Sequence, residues 1–79
     1  MKANRAYRLI LTRSGRAPAL LADAERVDQI EIVEIDSGEV ILFWERPPHA
    51  ASRLARALRE QLSQLDADEF IEHWSTVEH

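Results

Sequence analysis

The sequence predicts a small α+β domain: an antiparallel sheet of three strands, or four, with C-terminal helices packed on one face. Three observations carry the prediction. Three short runs within the first 46 residues alternate or concentrate β-branched and aromatic side chains, and a clear turn, Asp36-Ser37-Gly38-Glu39, joins the last two. From Pro48 to about Leu65 apolar residues recur at helical spacing. The length of 79 residues, with 21 Leu, Ile, Val and Phe among them, is enough for one core and no second one.

Ala6 to Thr12 alternates, with Tyr7, Leu9 and Leu11 on one face and Arg8, Ile10 and Thr12 on the other, which predicts a strand. Ser14-Gly15 supplies turn chemistry. Pro18 to Val27 supports two readings. Pro at a first helical position and the spacing Leu20, Leu21, Ala24, Val27 favour a short helix, whereas a hairpin at Ser14-Gly15 would return residues 16–21 as a fourth, edge strand that tolerates Pro18. Asp28 to Asp36 reads as a strand rich in Ile30, Ile32, Val33 and Ile35. Its alternation changes phase between Ile32 and Val33, which calls for a bulge or for cover on both faces. Val40 to Glu45 follows as its hairpin partner, with Ile41 and Phe43 opposed to Val40, Leu42 and Trp44.

Pro47-Pro48 ends that strand and opens a helix, because Pro at the first helical position sacrifices no intrahelical bond. Ala51, Leu54, Ala55, Leu58, Leu62 and Leu65 form its apolar stripe, while Arg53, Arg56, Arg59 and Glu60 lie mainly on the other side. Asp66-Ala67-Asp68-Glu69 has the form of a capping box, after which a second short helix presents Phe70, Ile71 and Trp74.

Ten basic residues against fourteen acidic ones give a net charge of −4, which opposes any general attraction to nucleic acid or anionic lipid. The charge is blocked: residues 1–26 carry +4, 27–45 carry −6, 46–62 carry +3 and 63–79 carry −5. Opposite blocks are expected to meet, in particular Arg5, Arg8 and Arg13 of the first strand region with Asp28, Glu31 and Glu34 of the second. The absence of cysteine excludes disulfides, thiolate metal sites and cysteine nucleophiles, and suits a reducing cytoplasm. Leu9-Ile10-Leu11 is too short for a signal peptide, which needs about 7 to 15 apolar residues, and no stretch approaches the ~18 of a membrane span. A cytoplasmic location is the expectation. Nine Arg to one Lys, with eleven Ala, suggests a GC-rich bacterial genome, and Val77-Glu78-His79 reads as an expression-tag remnant.

No catalytic constellation emerges, so the reading leans against an enzyme. His49 has no acidic neighbour within four residues. Glu69 and His73 stand one helical turn apart, but two ligands do not make a metal site. Ser14 and Ser37 occupy turn positions that favour Ser for conformational reasons, and two glycines cannot build a phosphate-cradling loop. No cofactor or metal is implied.

The feature with the best claim to function is the apolar surplus of the hairpin, since one helix pair covers only one sheet face. A chain this short without disulfides or metal commonly adds burial by self-association. The expected role is a non-catalytic protein-interaction module, a homodimeric accessory or regulatory protein that also meets another, unidentified protein. Its interaction candidates are Ile41, Phe43, Trp44, Arg53, Arg56, Arg59 and Trp74. One alternative is a small dimeric enzyme or ligand-binding protein with a pocket between sheet and helices where Tyr7, Trp44, His73 and Trp74 converge. A second is nucleic-acid binding through the ridge of Arg53, Arg56 and Arg59, which the acidic balance and the interrupting Glu60 disfavour.

Overall fold

A computed structural model describes residues 1–13 and 27–76. In chain order the elements are α1 (Ala3–Ala6), β1 (Tyr7–Thr12), β2 (Asp28–Glu34), β3 (Val40–Arg46), α2 (Pro48–Gln64) and α3 (Ala67–Ser75). The two readings of Pro18 to Val27, as a helix or with residues 16–21 as an edge strand, rest on residues 14–26, which fall outside the described residues, as do the Ser14-Gly15 turn and residues 77–79. The protein is an α+β fold with β2 at the centre of an antiparallel sheet ordered β1-β2-β3.

Strand parity sets the two faces of the sheet. Leu9 and Leu11 of β1, Ile30 and Ile32 of β2, and Leu42 and Trp44 of β3 point toward the helices and join the core. The stripe on α2 meets them: Ala51, Ala55, Leu58 and Leu62 are buried, the two alanines letting the helix approach the sheet closely. Pro48 takes an early helical position, as Pro47-Pro48 predicts. Asp66 and Glu69 form the expected capping box, the Asp66 backbone N–H donating to Glu69 Oε1 at 3.3 Å, and α3 buries Phe70 and Trp74.

The hairpin departs from simple alternation at two places. Pairing runs Ile32 to Leu42 and then Val33 to Val40, so Ile41 is an extra residue on β3. The bulge lies on β3 opposite the Ile32–Val33 step; β2 itself keeps alternating, so Val33 falls on the other face with Glu31, and the bulge turns Val40 outward with Ile41 instead of inward with Leu42 and Trp44. The second strand also ends at Glu34 rather than Asp36. The Glu34 N–H donates to Glu39 O at 2.8 Å and the Gly38 N–H donates to Glu34 O at 2.8 Å, so the turn closes at Glu34 and leaves Ile35 outside the strand. Gly38 sits at φ 75°, the left-handed region that glycine enters without a Cβ clash.

An element without a sequence forecast secures the N-terminus. Ala3 opens the four-residue α1 and is fully buried. Its N–H donates to Leu65 O at 2.9 Å, while the Ala67 N–H donates to Met1 O at 2.9 Å, so the first residues are stitched to the α2–α3 junction. Lys2 Nζ adds a bond to Gln64 O at 3.0 Å. Among the described residues no helix is long and apolar enough to cross a membrane.

Candidate functional site

The helices cover one face of the sheet, and two regions then stand out. The first is the sheet's other face. Ile10, Glu31 and Phe43 form one row across the three strands, and Arg8, Val33 and Val40 the next, with the bulged Ile41 beside it. Ile10 and Phe43 are each 38% exposed, Ile41 36% and Val40 45%, an apolar surface spanning all three strands. It is not flat. A hollow of about 120 Å³ lies on the β1 and β2 side, lined by Arg8, Ile10, Val33, Glu34, Ile35 and Gly38, while Ile41 and Phe43 stand on the β3 side. Arg8 is diagonal to Glu31 across the β1–β2 pair, so the patch carries both signs of charge.

The second region lies where the inner face of the sheet runs out past the end of β1. Arg13 continues the parity of Leu9 and Leu11, and Asp28 that of Ile30 and Ile32, so both are directed toward the helix side. Asp28 is fully buried, with Oδ2 3.9 Å from Arg13 Nη1, which realises one of the pairings expected from the charge blocks. Beside them one flank of α2 contributes Ser52, Ala55, Arg56 and Arg59, which with Leu11 and Arg13 line an open cleft of about 300 Å³.

The sequence candidates are thereby divided. Ile41 and Phe43 lie on the exposed sheet face. Arg56 and Arg59 line the cleft, whereas Arg53 is exposed on α2 outside its lining. Trp44 and Trp74 are 1% and 8% exposed and present no surface to a partner, because the register of β3 and the phase of α3 turn both rings into the core. Tyr7, Trp44, His73 and Trp74 do converge, but ring against ring. Trp44 meets Trp74 edge-on at 6.2 Å, His73 meets Trp74 at 5.2 Å, and Tyr7 stacks on Phe70 at 6.1 Å. Packed in this way, the rings of Tyr7, Trp44 and Trp74 leave no pocket between themselves.

Ser37 behaves as a turn residue, its Oγ donating to Glu34 Oε1 at 2.7 Å and accepting from the Glu39 N–H at 3.1 Å. His73 shares a shallow cleft of about 430 Å³ with Glu69 and Glu72, yet among the described residues no three His, Cys, Asp or Glu side chains are grouped to hold a metal ion. Burial raises the Tyr7 phenol above its ordinary pKa, with smaller contributions from the carboxylates of Glu34 and Asp68.

Sequence reasoning missed Ile10 and Val33 on the open face, and Arg13 and Ser52 in the cleft. Ile10 is the one apolar residue on the polar side of an alternating strand, a signal that was present. Arg13 is legible by parity alone, because it shares the core-facing phase of Tyr7, Leu9 and Leu11. Compared with protein-family models, with curated proteins and with solved structures, the chain matches none.

Proposed function

We propose that the protein is a non-catalytic interaction module of the bacterial cytoplasm, a small accessory or regulatory protein that works as a homodimer joined through the open sheet face and meets a further protein partner. The observation that carries this reading is the apolar surface of Ile10, Val33, Val40, Ile41 and Phe43, which reaches all three strands around Arg8 and Glu31 and lies opposite the helices. Its occupant is a second copy because the surface is complementary to itself. A two-fold axis near β2 sets the standing side chains Ile41 and Phe43 of each protomer over the hollow of the other. Nine Arg to one Lys and the absence of cysteine support the assignment to a bacterial cytoplasm.

Sedimentation equilibrium tests the reading. At about 100 μM the protein is expected to sediment at twice its 9.1 kDa, in keeping with the extra burial that so small a chain needs. Phe43→Glu is expected to give a folded monomer, because Phe43 is exposed on the outer face and contributes nothing to the core. A wild-type monomer at that concentration, or a Phe43→Glu variant that still dimerises, would reject this interface.

A further inference from the structure

We propose that the cleft between β1 and α2 is a binding site for a small phosphomonoester, held by Arg13, Arg56 and Arg59. This site is independent of the dimer surface, since the cleft opens at the helix-covered side of the sheet and the dimer uses the other face.

Charge supplies the first argument. In a chain of net charge −4, three guanidinium groups from two elements far apart in sequence line one cleft. The side chains of Arg56 and Arg59 form no hydrogen bond or ion pair with any other described residue. Among the described residues only Arg13 has a carboxylate beside it, the buried Asp28 at 3.9 Å. Among the described residues the three guanidinium groups stand against the single carboxylate of Asp28, an excess of positive charge that suits a phosphomonoester dianion better than a carboxylate of charge −1.

Donor geometry supplies the second. A guanidinium offers its N–H groups in a planar fork that suits phosphate oxygens, and a phosphomonoester presents three terminal oxygens to share among several forks. Ser52 and Arg56 are four residues apart and Arg59 three further on, so one flank of α2 aligns a hydroxyl with two guanidiniums. Asp28, itself fully buried, lies 3.9 Å from the third, Arg13.

Size and polarity identify the rest of the ligand. A volume of about 300 Å³ lies at the small end of ligand sites, enough for a phosphoryl group with a compact body. Leu11 and Ala55 offer that body an apolar wall. An extended nucleic acid would need a longer basic track, and Arg53, which would prolong it, lies outside the lining.

Titration of the full chain followed by amide NMR shifts tests the site, with phenyl phosphate, inorganic phosphate, benzoate and a short single-stranded oligonucleotide as probes. At low ionic strength phenyl phosphate is expected to give saturable shifts at residues flanking Leu11, Ser52 and Arg56, to bind more tightly than inorganic phosphate, and to weaken as salt rises. Arg56→Ala and Arg59→Ala are each expected to weaken it about tenfold or more, while Arg53→Ala leaves it unchanged. All three side chains are exposed, so the variants remain folded and the comparison stays interpretable. No saturable shift, equal binding of benzoate, an equal loss in Arg53→Ala, or tighter binding of the oligonucleotide would each overturn the proposal.

Discussion

At the scale of single residues, burial separates the positions that hold the fold from those free to act. Leu58 is fully buried where α2 meets the sheet, so Leu58→Ala loses transfer energy and leaves a cavity, a cost of about 2 to 5 kcal/mol. Arg56, two positions earlier and exposed, is expected to change stability by no more than about 0.5 kcal/mol when replaced by Ala. Urea denaturation of the two variants checks the phase of α2, and equal losses would contradict it. Tyr7 makes a different kind of prediction. Because burial, then Glu34 and Asp68, raise its pKa above the usual 10.0, the folded state keeps the phenolic proton more tightly than the unfolded chain does. The stability linked to that proton is complete below pH ~10 and is lost as pH rises through the folded pKa. Melting curves across the alkaline range are therefore expected to fall less steeply for Tyr7→Phe than for the wild type. Parallel curves would mean that the phenol does not couple to folding.

At the scale of elements, local signals and tertiary closure contribute separately. The turn between β2 and β3 depends on Gly38 at φ 75°, where an added Cβ would meet no atom within 4 Å. Gly38→Ala is thus expected to cost only backbone strain, about 1 to 2 kcal/mol, read as a drop in the urea midpoint with an unchanged slope. A neutral result would show that the hairpin can relax around the bulge at Ile41. That turn, the apolar stripe of α2 and the capping box of Asp66 and Glu69 are legible in the sequence because each is written within a few neighbouring residues. The direction of Val40 is not, since the alternation of Val40 to Trp44 contains nothing that names Ile41 as the extra residue; pairing with β2 decides it. The short α1 is equally silent, because four residues cannot display a helical period and its bonds reach Leu65 and Ala67. The arginine cleft is half legible. Arg56 and Arg59 appear as a ridge, but Arg13 joins them only when β1 lies beside α2.

At the scale of the whole molecule, one sheet face is closed by the helices and the other is open, and the closed side depends on an unexpected fastening. The hydrogen bonds from Ala3 to Leu65 and from Ala67 to Met1 tie the start of the chain to the junction between α2 and α3, and Ala3 is buried there without residual exposure. Through Tyr7 stacked on Phe70, the same segment holds α3 against the beginning of β1. At about 1 kcal/mol for each backbone bond, with a smaller contribution from the buried methyl group, the fastening is worth about 2 to 3 kcal/mol. A domain of this length has roughly 4 to 12 kcal/mol in total. A chain lacking Lys2 and Ala3 is therefore expected to lose a large part of its stability, with the loss concentrated in α3. Hydrogen exchange should show α3 amides opening well before those of β2, and the emission of Trp74, now 8% exposed, should shift to the red as its cover loosens. The open sheet face proposed to join two copies contains none of these residues, so under that proposal the shortened chain should still associate wherever it remains folded. Unchanged protection of α3 in that variant would mean that Phe70 and Trp74 hold the helix by packing alone, and that the stitched N-terminus is a consequence of the fold and not one of its supports.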